Sequence, residues 1–244
     1  MSTLVCFALK EEAAPFHKVA ARHPGVVTLI VGIGRQNAEK SVRSFLAGGA
    51  RTVAVCQDLA SRSENHLSGQ ARLAGTLAPP SLVLTCGFAG GLNPDLKIGD
   101  VIYECGMRNA ECGNWEKRLL AAGAQPAKFT CTDRIAITAM EKWKLCIDTG
   151  ADAVEMESAA IHAICAEKKI PCVTVRVISD TAHEDLPLDF NALAKADRSI
   201  DFGKLAWAIA KSPGKIPQLM QLQKKTKFAA ERLAAVLAKV LTAD

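Results

Sequence analysis

The sequence predicts an α/β fold in three layers, with a central twisted sheet, mostly parallel or mixed, flanked by helices. Two observations carry that prediction. Strand-like and helix-like segments alternate along the chain, and alternation of this kind predicts a largely parallel sheet covered on both faces. Several strand segments are continuous β-branched apolar runs, CVTVRVISD being the clearest, and runs without polar alternation belong to strands buried on both sides. A chain of 244 residues that is 49% hydrophobic buries a large core as one α/β domain.

Each element follows from local pattern. Thr3 to Leu9 reads as a buried strand and Glu11 to Ala21 as a short helix; Val26 to Val31 is a second strand. Gln36 to Ala47 is a helix closed by Gly48 and Gly49. Thr52 to Cys56 reads as a further strand, and Ser81 to Thr85 as another that ends at a glycine-rich turn, GFAGG. From Phe202 the chain reads as two amphipathic helices separated by SPGKIP, with Leu219, Leu222, Phe228, Leu233, Val236, Leu237 and Val240 against a lysine-rich face. The expected organisation is a main domain over residues 1–200 and a C-terminal helical extension, 201–244, packed on it. Packing is the bland account of those apolar positions; a membrane-contacting surface is the sharper one.

Composition narrows the function. The net charge of +5 is modest and reads as a solvated face, with an anionic substrate or membrane surface as the alternative and no nucleic-acid partner expected. Nine cysteines are odd in number, scattered and mostly set in apolar runs, as at Cys6, Cys56, Cys86, Cys165 and Cys172, without C-x-x-C spacing. They read as small buried hydrophobes of a reducing compartment rather than disulfides. Neither a metal nor a cofactor is expected. The first residues lack the order of a signal peptide, and no apolar run approaches the roughly 20 residues that span a bilayer. A cytoplasmic location is the expectation.

The most informative stretch is VEMESAAIHAICAEKKIPCVTVRVISD, from Val154 to Asp180. Strand-like residues give way to helical spacing after Met156, which puts Glu157 at a strand-to-helix junction. A carboxylate there is favoured by the helix dipole and accepts two hydrogen bonds from a vicinal diol; a capping or solvated glutamate is the plain alternative. The following strand carries Arg176 inside a buried apolar run, and a buried charge requires an anionic partner. Asp180 falls at its carboxyl end, where open α/β sheets bind ligands.

VEMES followed by VRVISD resembles the nucleoside phosphorylase and nucleosidase superfamily, above all its methylthioadenosine/S-adenosylhomocysteine nucleosidase branch. Three further blocks agree in order and spacing: LVCFALKEEAAPF, VGIGRQNA and LTCGFAGGLNPDLKIGDVI. Together they cover most of the chain to about residue 185. The tail, IDFGKLAWAIAKSPGKIPQLMQLQKKTKFAAERL, resembles that of the hopanoid-associated phosphorylase subgroup, which is thought to remove adenine from an adenosyl-hopanoid. Between Arg51 and Gly75, around SRSENHLSGQ, the chain is longer than the nucleosidase pattern.

The resemblance implies a nucleoside phosphorylase-like fold and cleavage of the N-glycosidic bond of a purine nucleoside, adenine-containing and modified at its 5′ position. Cleaving such a bond passes through an oxocarbenium-like state, so it needs a leaving-group acid, an activated nucleophile and contacts to the sugar hydroxyls. By resemblance Asp180, with Ser179 beside it, protonates the purine; Glu157 holds the ribose hydroxyls over Met156; and Glu12 activates water near Arg176. Gly87, Phe88 and Ala89 line the substrate, and Ile135, with Asp133 nearby, stacks on the base. Taken alone, Glu12 beside Glu11 is an ordinary helix-start glutamate.

Two departures bear on mechanism. Phe88 stands where the nucleosidases place a serine, and a ring cannot donate a hydrogen bond to water or phosphate. Gly34 and Arg35 open a helix that could hold an anion, as a phosphorylase needs. Phosphorylases, however, also carry an arginine just ahead of the glycine-rich turn, where this chain has Leu84 and Thr85. Hydrolysis is therefore the leading expectation. A phosphate-dependent phosphorylase and a silent ligand-binding or membrane-associated homologue are the alternatives. The superfamily further implies a homo-oligomer with sites completed by a neighbouring subunit.

Overall fold

The computed structural model describes residues 2–48, 79–105, 110–195, 198 and 201–242. In chain order the elements are β1 (Thr3–Phe7), α1 (Lys10–Ala20), β2 (Val26–Ile30), α2 (Arg35–Leu46), β3 (Leu82–Gly91), β4 (Val101–Cys105) and α3 (Ala110–Ala122). They continue with β5 (Gln125–Pro126), β6 (Phe129–Cys131), α4 (Ala139–Thr149), β7 (Ala153–Glu155), α5 (Ser158–Lys168) and β8 (Cys172–Asp180). Then come α6 (Phe190–Leu193), α7 (Phe202–Lys211), a 3-10 turn (Pro213–Lys215) and α8 (Ile216–Thr242). The strand expected at Thr52 to Cys56 and the polar SRSENHLSGQ stretch lie outside the described residues.

The strands form one mixed sheet in the order β2-β1-β3-β8-β4-β5, with β7 on the end of β3 and β6 beside β7. Neighbours from β2 through β8 run parallel, and β4 returns antiparallel to β8. Side-chain alternation along each strand divides the core between two faces. Val5 and Phe7, Leu84 and Cys86, and Val173, Val175 and Val177 pack against Phe16 of α1, Leu119 of α3, and Leu233 and Leu237 of α8. Leu4, Cys6, Val83 and Cys172 point the other way, onto α2 and α5. The α/β, helix-flanked sheet expected from the sequence is the sheet observed.

The predicted glycine-rich turn is not a turn. β3 runs unbroken from Leu82 to Gly91, through GFAGG, with a register shift against β8 between Ala89 and Gly90. Glycines here serve a crowded central strand, because the positions facing them on β8 carry the long side chains of the site.

At the carboxyl end, α8 is 27 residues long, and Ala229, Leu233, Val236, Leu237 and Val240 of its second half are buried in the core. α7 differs: it buries none of its residues, and Phe202 and Trp207 are 77% and 62% exposed. Among the described residues seven cysteines are free thiols, and no helix is long and apolar enough to cross a membrane.

Candidate active site

β3 and β8 lie side by side and parallel in the sheet, so their carboxyl ends deliver side chains to one edge. Arg176 occupies the register position opposite Gly87. A Cβ at Gly87 would stand 2.7 Å from Arg176 Nη1 and 2.8 Å from Glu12 Oε1, and its φ of +149° is one that L side chains rarely adopt. The absent side chain at 87 leaves a space that both Glu12 and Arg176 border.

Glu12 reaches that space from the first turn of α1. It is the third residue of the helix, and its Oε2 accepts the N–H of Leu9 at 2.9 Å, closing the helix start. Its Oε1 accepts the backbone N–H of Phe88 at 2.9 Å. Phe88 thus contributes main chain, while its ring packs against the core on the α8 face. The lack of a serine hydroxyl leaves this backbone contact intact.

Three carboxylates surround one guanidinium. Arg176, 1% exposed, places Nη2 at 2.5 Å from Glu155 and 3.3 Å from Glu157, with Thr85 Oγ1 also at 3.3 Å. The buried arginine therefore has the anionic partners that its strand position demanded. Burial alone would raise Glu155, but the Arg176 charge, the Ser158 hydroxyl and the N–H groups of Ser158 and Glu157 together outweigh it, and its carboxyl sits below the usual range. One guanidinium does not neutralise three buried carboxylates. Glu157 is pushed up, first by burial and then by the charge of Glu155, against the pull of Arg176. Glu12 is pushed up to about 7, chiefly by burial and with help from Glu157, although Arg176 and the N–H groups of Phe88 and Leu9 oppose the rise.

Glu157 lies in the residue just before α5, not in its first turn, and its side chain caps nothing on its own helix. Instead Oε1 accepts the N–H of Gly34 at 2.8 Å, from the start of α2. The helix N-terminus expected to hold an anion is thus bonded to the protein's own carboxylate. Arg35 points elsewhere: its side chain is 50% exposed and lies 3.8 Å from Asp133. A carboxylate has about four acceptor positions. Glu157 engages Gly34 and Arg176 and keeps capacity for a diol. Met156, 9% exposed, approaches Gly34 from the same junction.

Asp180 ends β8. Its Oδ1 accepts the Ser179 hydroxyl at 2.7 Å, and its Oδ2 lies 2.5 Å from the ammonium of Lys142, which is fully buried. Ala89 supplies a carbonyl to Ser179 at 3.3 Å and otherwise belongs to a small core cluster with Ile102 and Ile178. Ile135 is held by both amide atoms of Asn191 on α6, at 2.9 Å each. Two members of this site escaped the sequence reading. Glu155 could have been found, since Arg176 required a partner and the nearest acid to Glu157 stands two residues away. Lys142 left no signal, because MEKWK offers two lysines with nothing to tell the buried one from the other.

The fold is similar to that of nucleosidases among solved structures. The methylthioadenosine/S-adenosylhomocysteine nucleosidase of Neisseria meningitidis, in complex with methylthio-immucillin-A, superposes with a TM-score of 0.63 at 18% identity, covering 100% of this chain and 99% of that one. The futalosine hydrolase of Helicobacter pylori gives 0.61 at 16% identity, with 98% and 97% covered. The phosphorylase superfamily profile matches residues 126–211, a span that includes Glu155, Glu157, Arg176 and Asp180. A methylthioadenosine/S-adenosylhomocysteine nucleosidase of Glaesserella parasuis is 29% identical over 47% of this chain and 63% of its own. The chain spans less than two thirds of the length of the curated relatives it matches. Over residues 126–211 the chain matches the phosphorylase superfamily, and its fold is that of these solved nucleosidases.

Proposed function

We propose that this protein hydrolyses the N-glycosidic bond of a purine nucleoside, adenine-containing and modified at its 5′ position. The observation that carries the reading is Glu12, buried beside Arg176 and poised near neutrality. A base half ionised at neutral pH takes a proton from water efficiently and still passes it on. In this reading Glu12 deprotonates the water that attacks the anomeric carbon. Glu157 accepts hydrogen bonds from the sugar hydroxyls over Met156, and the negative cluster stabilises the oxocarbenium-like sugar. Asp180, held by Ser179 and Lys142, delivers the proton to the departing purine, whose base stacks near Ile135. Gly87 and Ala89 form the floor of the site.

The bond between Glu157 and Gly34 favours water over phosphate as nucleophile, because the Glu157 carboxyl already takes the N–H at the amino terminus of α2. The exposed apolar residues of α7 support a large apolar 5′ group, as the resemblance of the tail to the hopanoid-associated subgroup implies. We read the molecule as a cytoplasmic homo-oligomer with α7 available to a membrane surface. Incubation with adenosine, methylthioadenosine and S-adenosylhomocysteine, with and without phosphate, tests the reaction. Adenine and free sugar at a rate indifferent to phosphate support hydrolysis; strict phosphate dependence with sugar 1-phosphate as product overturns it.

A further inference from the structure

Behind Asp180 stands a lysine that a packing role does not require. Lys142 is fully buried on α4, and its ammonium makes three contacts: Asp180 Oδ2 at 2.5 Å, the Thr181 carbonyl at 2.8 Å and the Glu184 carbonyl at 2.9 Å. Three acceptors match the three N–H bonds of an ammonium, and a neutral amine has only two. The two carbonyls account for those two. The third N–H, aimed at Asp180, is the one that can leave with the remaining contacts intact.

Asp180 keeps a small exposed fraction of its side chain, whereas Lys142 is sealed behind it. Other charges near the pair are already engaged. Glu184 bonds Lys225 of α8 at 2.8 Å, Asp185 accepts the N–H of Ala139, and Glu141 on α4 bonds Arg134 and the N–H of Ile137. Burying an ion pair costs several kcal/mol of desolvation, and apolar residues fill the same volume with less penalty. A mere pin between α4 and the segment after β8 needs no charge.

We propose that Lys142 and Asp180 form one proton-donating unit, in which the buried ammonium supplies, through the Asp180 carboxyl, the proton taken up by the departing purine. This rests on the purine nucleoside reading above. The Nζ–H bond breaks as an O–H bond forms on Asp180, leaving a neutral amine and a neutral acid. The acid O–H then breaks as an N–H bond forms on the purine, and the electron pair of the C–N glycosidic bond passes into the purine ring. Water supplies hydroxide to the anomeric carbon and its proton to Glu12, and Lys142, which has no exposed surface of its own, recovers a proton by the reverse path, from solvent through the Asp180 carboxyl. Lys142 is a positioning residue in this scheme, since it acts through Asp180.

The test compares leaving groups in the full-length protein. Lys142→Met and Lys142→Arg are assayed on a nucleoside the wild type cleaves, and on the 4-nitrophenyl riboside bearing the same 5′ group, whose phenolate departs without a proton. Expected for Lys142→Met is a loss of at least about 100-fold in kcat on the nucleoside, with KM and nitrophenyl turnover within about threefold of wild type. Arginine keeps the charge but does not release a proton, so Lys142→Arg is expected to be as slow as the methionine variant on the nucleoside. Equal losses on both leaving groups, or recovery of nucleoside turnover by arginine, overturn the inference and leave Lys142 a structural pin. A wild-type protein that releases no purine from adenosine, methylthioadenosine, S-adenosylhomocysteine or an adenine nucleoside carrying a long alkyl 5′ group overturns the purine nucleoside reading itself, and the inference falls with it.

Discussion

Substituting Glu12 by glutamine separates electrostatics from shape, and its consequences are worked from the geometry. Glutamine keeps the volume beside Gly87 and still accepts one of the two N–H bonds from Leu9 and Phe88; its amide nitrogen faces the other. What disappears is a carboxyl raised from 4.5 to about 7. That rise corresponds to about 3 kcal/mol, as an order of magnitude, disfavouring the ionised form in the folded state. A raised carboxyl contributes stability that is fully present below pH 4.5 and lost as pH climbs through about 7. The wild type therefore weakens relative to Glu12→Gln across that window. At pH 5 the variant is expected to be slightly less stable, by about 1 kcal/mol for the lost hydrogen bond. By pH 8 it is expected to be more stable, by about 2 kcal/mol. Urea unfolding of both proteins from pH 5 to 8.5 measures this. A stability difference that stays constant over the range refutes the raised carboxyl. Activity gives an independent reading: wild-type kcat/KM rises through a midpoint near pH 7. Glu12→Gln loses about 10² to 10⁴-fold together with that acid limb. A variant that retains both would remove Glu12 from the role of base.

Further outcomes follow from the same geometry. Gly87→Ala sets a methyl group 2.7 Å from Arg176 Nη1 in a backbone conformation that favours glycine, and is expected to lose about 3 kcal/mol or more of stability along with activity; thermal unfolding close to that of wild type would contradict the crowding. Asp180→Asn keeps the shape and Ser179 contact but removes the proton carrier, so turnover of a purine nucleoside is expected to fall about 10² to 10⁴-fold while adenine binding, measured calorimetrically, persists. Full turnover in that variant would dismiss Asp180 as the acid. Arg35→Ala, at a half-exposed side chain outside the cluster, is expected to change kcat/KM by less than about twofold, with or without phosphate; loss of a phosphate-stimulated rate would restore the phosphorylase reading.

The course of the backbone was legible in the sequence because it depends on local periodicity. Apolar runs and helical spacing set β1, α1, β2, α2, α5 and β8 to within a residue or two, and buried strands alternating with helices leave few arrangements other than a covered, largely parallel sheet. Glu157, Arg176 and Asp180 were visible for a related reason, as charges at the end of or inside an apolar strand that require an explanation. What local pattern does not carry is which side chains meet. The sequence places Glu12 and Arg176 164 positions apart, and only strand register brings both to the empty space over Gly87. GFAGG reads as a turn by composition, but pairing with β8 along Gly87–Gly90 and with β7 at Gly90 and Gly91 holds it extended, because backbone hydrogen bonds with neighbouring strands outweigh the local preference of glycine for turns. Lys142 is the extreme case. Its burial and its contact with Asp180 are properties of how α4 packs against the end of β8, and a lysine on a helix carries no mark of what lies across from it until the chain has folded.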